Sequence, residues 1–376
     1  MKSLSSPILL RLPSAMLFGQ GQAARLAELM PQMQNDKFFI VTDSFNAKRV
    51  ANLGLSLSNE QIGIVDPEPD LNCLNAALAQ ARAGQYEVIV GFGGGSAMDC
   101  AKLIAVLLGN QLSLSDIAGK GNAPSRQCQL VQIPTTAGTG SEAGARALIT
   151  DPESAVKIAT DSEFMVADYI LIDPDLTLTA PLDVTLATGV DALAHCVEAF
   201  TSKIAHPLID WYAQRGIELI GENLPKLVSN LADQEARTAL CLAAYYGGIC
   251  LGPVNTTAGH ALAYPLSTHY KIPHGAANAL IFPYTLAYNS SAQSEKTRIV
   301  LESLGLGQAT SEEDIRIRSA ELLRSYGLKT KLSDFNIPEH TLELMAGEAS
   351  TIRRLLDNNP RNIGAKEILE IYQAAY

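Results

Sequence analysis

Residues 86–109, with the sequence YEVIVGFGGGSAMDCAKLIAVLLG, contain the pattern that decides the fold of the N-terminal half. The run YEVIVGF (86–92) is the clearest strand signal, a cluster of glycines follows it, and SAMDCAKLIAVLLG has helical spacing. Glycines let the backbone approach a ligand closely, and a helix N-terminus offers unpaired N–H groups to an anion. The segment predicts a strand, turn and helix suited to a pyrophosphate, with a plain tight turn as the alternative.

The glycine turn departs from the standard nucleotide-binding signatures. It is not a Walker A loop, because no Gly-Lys-Ser/Thr closes it. It matches Gly-x-Gly-x-x-Gly loosely, with Ser96 where the last glycine belongs. No acidic residue ends a strand about twenty residues later, so the standard Rossmann signature fails.

Strand and helix signals alternate on both sides of this segment. Alternation of this kind predicts an α/β domain with a largely parallel sheet covered by helices. The N-terminal stretch is interpreted as a first strand and not a signal peptide, because Arg11 and Pro13 interrupt its apolar residues. The other predicted elements are strands at 37–43, 61–67, 129–134 and 169–174 and a helix at 71–83.

The second half has helical periodicity and almost no strand signal. Pro181 suits the first turn of a helix, where its missing N–H costs nothing. The sequence predicts a dinucleotide-binding α/β domain at 1–180 and an all-α domain at 181–376, with the ligand in a cleft between them. Helices are predicted at 183–202, 207–221, 234–251, 256–264, 276–289, 292–304, 312–326, 338–356 and 364–375.

Composition narrows the class of protein. The formal net charge of −11 argues against a nucleic-acid partner, which would favour a basic face. No apolar run reaches the length of a membrane span. The six cysteines show no close pairing, which indicates a reducing, cytoplasmic compartment.

Two further polar features lie in the first half. The loop PTTAGTGSEAG (134–144) offers hydroxyl groups and backbone amides suited to phosphate and ribose. Asp43 ends an earlier strand, where it could bind a ribose diol or simply cap the next helix. Lys157, in the uncharged stretch SAVKIAT, would by itself be interpreted as a solvated surface lysine.

An aspartate and three histidines in the second half suit a divalent metal. Asp191 and His195 are four residues apart in ATGVDALAHCVEAF, so on a helix they share one face, about 5–6 Å apart at Cβ. His260 and His274 lie in TTAGHALAYPLSTHYKIPHGAANAL. A carboxylate among apolar residues is costly to bury unless a cation neutralises it. Three imidazoles and one carboxylate suit Fe²⁺, Zn²⁺ or similar ions, and no cysteine pair has zinc-finger spacing.

Together these blocks resemble the iron-containing (group III) alcohol dehydrogenase family over essentially the whole chain. The resemblance is carried by GGGSAMDCAK, PTTAGTGSE, LATGVDALAHCVEA and the segment from His260 to PHG. It implies an N-terminal dinucleotide-binding domain, a C-terminal helical domain with the site between them, and a homodimer. The implied metal ligands are Asp191, His195, His260 and His274. The implied cofactor residues are Gly94, Gly95 and Ser96 at the pyrophosphate, Thr135, Thr136 and Thr139 along the cofactor, Lys157 at the nicotinamide-side ribose, and Asp43 as the residue that selects NAD over NADP.

The chain departs from the family pattern at the expected proton relay. Many members carry a histidine four residues after the third ligand, where this chain has Tyr264. Tyr264 is therefore the relay candidate beside His260 and His274, and His269 is a weaker one and not a ligand. Ala143 and Gly144 replace a common Val-Thr, which suggests an unusual substrate pocket.

The implied activity is NAD-dependent interconversion of a small primary alcohol, diol or hydroxy acid and its aldehyde, with Fe²⁺ or another divalent metal as Lewis acid. One alternative is a glycerol dehydrogenase-like zinc enzyme or dehydroquinate synthase relative. Another is a 4-hydroxybutyrate dehydrogenase-like enzyme, suggested by Tyr-Pro after Ala263 and by RRLLDNNP near the C-terminus. A silent nucleotide- or metal-binding regulator is the non-enzymatic alternative, and the intact ligand and glycine patterns argue against it.

Overall fold

A computed structural model of the chain describes residues 2–30, 37–55, 57–153 and 156–376. The chain separates into an α/β unit and a helical unit. The α/β unit contains Leu10–Thr136 and Gly140–Thr179, and the helical unit contains Ala180–Tyr376, the N-terminal residues as far as Leu9, and Ala137–Thr139.

A parallel sheet organises the α/β unit. The strands are β1 (Ala15–Phe18), β2 (Phe38–Thr42), β3 (Ile62–Ile64), β4 (Val88–Gly93), β5 (Gly119–Lys120), β6 (Gln129–Pro134), β7 (Arg146–Thr150), β8 (Lys157–Asp161) and β9 (Tyr169–Ile172). Six of them form a sheet in the order β1-β9-β6-β4-β2-β3, and each pair of neighbours runs parallel. A second sheet has the order β5-β8-β7, in which β7 and β8 are antiparallel. The helices of this unit are α1 (Leu26–Leu29), α2 (Ser44–Ala47), α3 (Leu71–Ala83), α4 (Gly95–Leu107) and α5 (Leu114–Ile117).

The parallel sheet predicted from the sequence is confirmed, and its central strands show why. Every residue of β2 and β4 is buried, as expected for strands covered on both faces. The pairing sets Thr42 beside Phe92 and Gly93 beside Pro134. The carboxyl ends of β2, β4 and β6 therefore finish at one edge of the sheet, where parallel α/β proteins bind ligands.

The antiparallel pair β7 and β8 was not predicted. Only two of the five residues of β7 are buried, and one of the five in β8. Their short segments mix charged and apolar residues, so neither has the continuous apolar run of β2 or β4. The predicted first strand is present as β1, after Pro13 and not within the apolar residues before it.

The helical unit is built around one central helix. Its helices are α6 (Leu182–Thr201), α7 (Pro207–Ser229), α8 (Gln234–Leu251), α9 (Ala258–Tyr270), α10 (His274–Asn289), α11 (Ser294–Ser303), α12 (Glu312–Ser325), α13 (Leu342–Ser350), α14 (Arg353–Leu356) and α15 (Ala365–Ala374). Helix α6 packs against α7, α8 and α10. It is buried on all sides from Gly189 to Thr201, which marks it as the core of this unit.

Several predicted helix ends were wrong. Helix α7 continues through Pro225 to Ser229, and α9 continues through Pro265 to Tyr270. Leu227 and Leu266, which follow these prolines, are fully buried, so packing outweighs the one hydrogen bond that each proline removes. The single helix predicted at 338–356 is instead α13 and α14, separated by a break at Thr351 and Ile352.

None of the helices in the described residues is both long and apolar enough to span a membrane.

Candidate metal and cofactor site

Four ligand-type side chains converge in the helical unit. Helix α6 presents Asp191 and His195 one turn apart, α9 carries His260, and His274 is the first residue of α10. Asp191 Oδ1 lies 4.0 Å from His195 Nε2, 3.5 Å from His260 Nε2 and 3.6 Å from His274 Nε2. One donor atom from each residue lies within 4.8 Å of all the others. This arrangement can surround a single ion.

The electrostatics of the cluster suit a cation. Burial opposes ionisation of Asp191, but His195, His274 and His260 hold its pKa well below the usual range. Burial lowers the pKa of His195 to about 4 despite the nearby Asp191, so this imidazole is neutral and available as a ligand. His260 Nε2 is buried and has no good hydrogen bond within the described residues. A metal ion would supply the missing partner, so the residues fit such a group.

Glu198 fixes the orientation of His260. His260 Nδ1 donates to Glu198 Oε1 at 2.6 Å, and Thr257 donates to Glu198 Oε2 through its N–H and its hydroxyl, at 2.6 and 2.9 Å. The carboxylate holds the Nδ1 proton and so leaves Nε2 directed at the cluster. Glu198 was missed at the sequence level, although it lies one turn beyond His195 on α6 and so is nearly in line with the ligands.

Glycines beside two of the histidines allow the helices to approach. A Cβ on Gly259 would lie 2.6 Å from Glu198 Oε1, and a Cβ on Gly275 would lie 2.7 Å from the Ala187 carbonyl oxygen of α6. Contacts that short require the neighbour to move. A side chain at either position would therefore push His260 or His274 away from α6.

Asn278 ties α10 to the cluster. Its Nδ2 donates to Asp191 Oδ1 at 2.7 Å and lies 3.1 Å from His274 Nε2. It stands one turn after His274, so helical spacing was the signal that could have identified it. Asn278 links the carboxylate on one helix to the imidazole on another.

The cluster is most open at His274. Its side chain is 21% exposed, against 2% for Asp191, 5% for His195 and 3% for His260. The Tyr264 ring lies 6.1 Å from the His274 ring between centroids. The relay candidate therefore lies beside the most exposed of the four residues. His269 lies elsewhere, with its Nε2 2.6 Å from Glu348 Oε2.

In the α/β unit, the glycine turn leads directly into α4. Gly94 is the N-cap and has no side chain to occupy the first amides, and Gly95 is the first helical residue. Such a helix start is suited to an anion. The Ser96 hydroxyl accepts a hydrogen bond of 3.1 Å from the Glu68 backbone N–H. The turn therefore offers a ligand mainly backbone N–H groups and few side-chain groups.

The threonine loop follows β6 at the same sheet edge. Thr135 donates its backbone N–H to the Gly93 carbonyl at 2.9 Å, and its hydroxyl accepts from Asn46 Nδ2 at 3.2 Å. Thr136 Oγ1 would be 3.6 Å from a Cβ on Gly94, so this threonine borders the glycine turn. Thr139 belongs to the helical unit.

Asp43 caps helix α2. Its Oδ1 accepts from the N–H groups of Phe45 and Asn46, both at 2.9 Å, and its Oδ2 accepts from Asn46 Nδ2 at 2.6 Å. The capping alternative raised by the sequence is present in the structure. Through Asn46 the carboxylate is also connected to Thr135, so the loops after β2 and β6 share one hydrogen-bonded chain.

Lys157 is paired and is not a solvated lysine. Its ammonium forms an ion pair with Glu68, and its side chain is only 14% exposed. Glu68 has a positive φ of 52° and also contacts Ser96 through its N–H, so it links β8 to the start of α4. No sequence signal pointed to Glu68.

A buried network anchors the second loop to α4. Lys102 is fully buried and donates to Ser141 Oγ at 2.7 Å and to the Arg146 carbonyl at 2.8 Å. Ser141 donates to Asp99 Oδ1 at 2.6 Å, and Asp99 Oδ2 accepts from the Leu148 N–H at 2.9 Å. Burial lowers the pKa of Lys102, while the nearby Asp99 raises it. This network was not predicted from the sequence; it joins α4, which follows the glycine turn, to the loop at 134–144.

Comparison with known protein families gives a match in each half of the chain. Residues 13–174 match the family described as iron-containing alcohol dehydrogenase, and residues 185–376 match the Fe-containing alcohol dehydrogenase family, C-terminal. Long-chain-alcohol dehydrogenase 1 of Geobacillus thermodenitrificans is 35% identical over 320 residues, which cover 83% of this chain and 80% of the relative.

Solved structures of other proteins are similar to this chain over nearly its whole length. The structure of a 1,3-propanediol oxidoreductase has a TM-score of 0.91 and 28% identity, with 99% of this chain and 100% of that chain covered. The structure of sulfoacetaldehyde reductase from Bifidobacterium kashiwanohense in complex with NAD⁺ has a TM-score of 0.88 and 27% identity, with 99% of each chain covered. These matches favour the iron-type family over the glycerol dehydrogenase and dehydroquinate synthase alternatives. The chain belongs to the iron-containing alcohol dehydrogenase family.

Proposed function

We propose that the chain interconverts a small primary alcohol and its aldehyde by hydride exchange with NAD(H), with a divalent metal held by Asp191, His195, His260 and His274. The observation that carries the proposal is the convergence of four donor atoms from three helices within 4.8 Å. A metal bound there supplies Lewis-acid polarisation of the substrate oxygen, and NAD⁺ supplies the hydride acceptor.

The surrounding residues hold this arrangement and manage the proton. Glu198 keeps the Nδ1 proton of His260 and leaves Nε2 free to act as a ligand. Asn278 contacts both Asp191 and His274 and so fixes their positions relative to each other. Tyr264, whose ring lies beside that of His274, is the proposed relay through which the hydroxyl proton of the alcohol leaves.

The loops of the α/β unit are proposed to hold the dinucleotide. The N-terminus of α4, with Gly94, Gly95 and Ser96, suits the pyrophosphate because its first amides are uncapped. Lys157 is proposed to reach the nicotinamide-side ribose, and Asp43 to select NAD by repelling a 2′-phosphate. Thr135, Thr136 and Thr139 are the proposed lining residues. The NAD⁺ complex of the sulfoacetaldehyde reductase supports this choice of cofactor.

Several finer assignments belong to the same proposal. Iron is the expected metal on family grounds, and zinc or another divalent ion suits the same ligands. We propose that residues 1–180 form the dinucleotide-binding domain and residues 181–376 the metal and substrate domain. We further propose that the protein is a homodimer, which light scattering of the purified protein tests. We also propose a cytoplasmic location, because all six cysteines are free thiols.

The test is metal content and NAD-linked oxidation of short alcohols in wild type and His260→Ala. His269→Gln is the matched control, because His269 lies outside the cluster and is paired with Glu348. We expect His260→Ala to lose both the bound metal and the activity, and the control to keep both. Unchanged metal and unchanged turnover in His260→Ala would overturn the proposal.

A further inference from the structure

Asn46 is a buried amide at the sheet edge where the cofactor is proposed to bind. It belongs to α2, which follows β2 directly, and only 5% of the residue is exposed. Its Nδ2 donates to Asp43 Oδ2 at 2.6 Å and to Thr135 Oγ1 at 3.2 Å. Its Oδ1 accepts from Arg49 Nη1 at 2.8 Å. One end of the amide therefore holds a carboxylate, and the other end holds a guanidinium.

The glycine turn after β4 borders the same amide. A Cβ added to Gly93, the last residue of β4, would lie 3.2 Å from Asp43 Oδ2 and 3.8 Å from Asn46 Nδ2. Thr135 belongs to the loop after β6. Asn46 thus lies among groups from the ends of β2, β4 and β6, which is the edge at which parallel sheets bind ligands.

Arg49 is held by neighbours on more than one side. Besides its bond to Asn46, it donates through Nη2 to the Leu176 carbonyl at 2.8 Å, and its guanidinium carbon lies 5.5 Å from the centroid of the Phe45 ring. Burial lowers the pKa of this guanidinium, and the nearby Asp43 carboxylate acts in the opposite direction. The charges of Asp43 and Arg49 therefore influence each other across the Asn46 amide.

These two charges have opposite effects on the 2′-position of the adenine-side ribose of a dinucleotide. A carboxylate accepts a hydrogen bond from a 2′-hydroxyl, whereas a nearby arginine accommodates a 2′-phosphate. Which cofactor the edge favours therefore depends on which of the two groups is directed at the ribose. In the structure, the Arg49 guanidinium is directed at the Asn46 amide and the Leu176 carbonyl.

We infer that Asn46 is a positioning residue for cofactor selection, which fixes the Asp43 carboxylate in place and withholds the Arg49 guanidinium from the ribose. This inference rests on the proposed function, in which Asp43 selects NAD, and adds the residue that makes the selection effective. Loss of the Asn46 amide would release Arg49 to neutralise Asp43 or to bind a 2′-phosphate. Either change weakens the rejection of NADP.

The test is a double-mutant cycle on Asn46 and Arg49. The ratio of kcat/KM for NAD⁺ to that for NADP⁺ is measured in wild type, Asn46→Ala, Arg49→Gln and the double variant. We expect Asn46→Ala to lower the ratio by roughly 10-fold, chiefly through a lower KM for NADP⁺. Arg49→Gln alone should change the ratio little, because the guanidinium is already withheld. In the double variant it should restore part of the ratio, and the cycle measures this coupling.

Fluorescence titration with NADH and with NADPH gives a readout independent of turnover. A merely structural role would weaken the binding of both dinucleotides equally, whereas the inference requires NADPH to gain relative to NADH in Asn46→Ala. Asn46→Ser gives the same comparison if the alanine variant does not fold, because its short hydroxyl cannot bridge Asp43 and Arg49.

Asn223→Ala is the matched control. Asn223 is also buried, and its amide also joins a cation to a second group, since its Oδ1 accepts from Lys226 Nζ at 2.9 Å and its Nδ2 donates to the Leu219 carbonyl at 2.8 Å. It lies in α7 of the helical unit, so its loss should leave the cofactor ratio unchanged.

Two results would overturn the inference and leave the proposed function standing. One is an equal loss of NADH and NADPH binding in both Asn46→Ala and Asn46→Ser. The other is a double variant with the same cofactor ratio as Asn46→Ala. A wild type that binds neither dinucleotide and turns over no alcohol or aldehyde would instead remove the proposed function, and the inference with it.

Discussion

The cluster of ligand-type side chains (Asp191, His195, His260 and His274) and the glycine and threonine loops present polar groups in opposite ways. In the cluster, charged and ionisable side chains are buried, and partners such as Glu198 and Asn278 fix their orientation. At the glycine turn no side chain caps the first amides of α4, while the nearby side chains of Asp43 and Lys157 are already paired with neighbours. The cluster therefore depends on individual side chains. The loops depend on the path of the backbone, which several weaker contacts hold together.

The strongest test of this contrast is Glu198→Gln. Because the amide no longer holds the His260 proton as a carboxylate does, we expect metal affinity to fall by about 10- to 100-fold. Competition with a chelator measures the change. Glu348→Gln is the control, since its carboxylate pairs with His269 outside the cluster. Equal metal affinity in Glu198→Gln and wild type would show that Glu198 does not support the ligand.

The pH dependence of the stability of the metal-free protein follows from the His260–Glu198 pair. Burial lowers the pKa of His260, but Glu198 and Asp191 outweigh it and raise the pKa from 6.5 to about 10. A folded-state pKa above the unfolded value stabilises the fold fully below pH 6.5, and the contribution is lost as the pH rises toward 10. We expect urea unfolding of chelator-treated wild type to show falling stability over that range. The Glu198→Gln variant should show a flatter profile.

Gly275→Ala tests the helix approach that positions His274. The added methyl would meet the Ala187 carbonyl at 2.7 Å, so α10 must shift from α6. We expect a loss of about 1–3 kcal/mol in the free energy of unfolding, together with weaker metal binding. Gly347→Ala in α13 is the control, because nothing lies within 4 Å of its added Cβ. That change should stabilise the protein slightly, as alanine is the better helix former.

Ser141→Ala tests the anchoring of the loops. It removes the hydroxyl that bridges Lys102 and Asp99. We expect the KM for NAD⁺ to rise severalfold and the free energy of unfolding to fall by about 1–3 kcal/mol, because buried partners lose a hydrogen bond. Metal content should not change. Ser350→Ala, which removes an exposed hydroxyl that donates to the Gly347 carbonyl, is the control.

Asp43→Gly gives the smallest expected change in stability. Glycine is itself a tolerated N-cap, so the cost should be only a few tenths of a kcal/mol. The informative measurement is the ratio of kcat/KM for NAD⁺ to that for NADP⁺, which should decrease. Asp233→Gly removes a comparable cap from α8 and should leave the ratio alone. If Asp43→Gly leaves it alone too, Asp43 serves only as a cap.

The sequence predicted the features that rest on strong local patterns. The parallel sheet follows from continuous apolar runs such as that of β4, and the glycine turn leads into α4 as expected. The four residues predicted as ligands converge in the structure. The signals for them were the one-turn spacing of Asp191 and His195 on α6 and the presence of histidines in otherwise apolar segments. Each of these signals is local: the strand and the glycine turn are adjacent in the chain, and Asp191 and His195 are four residues apart.

Other features depended on contacts between distant segments. Glu198 and Asn278 are ordinary helix residues until α9 and α10 bring His260 and His274 beside them. The pairing of Lys157 with Glu68 joins residues 89 positions apart, and a positive φ at a glutamate has no sequence signature. The helix that continues through Pro225 reflects tertiary packing that overrides local preference.

The ligand-type residues come from three helices, two of which are far from α6 in the chain. An ion that joins them would cross-link segments that are independent in the unfolded chain, so binding free energy becomes folding free energy. Metal supply would then determine how long the polypeptide survives in the cell as well as whether it is active. Chains that do not bind the ion would unfold more readily and would be degraded first.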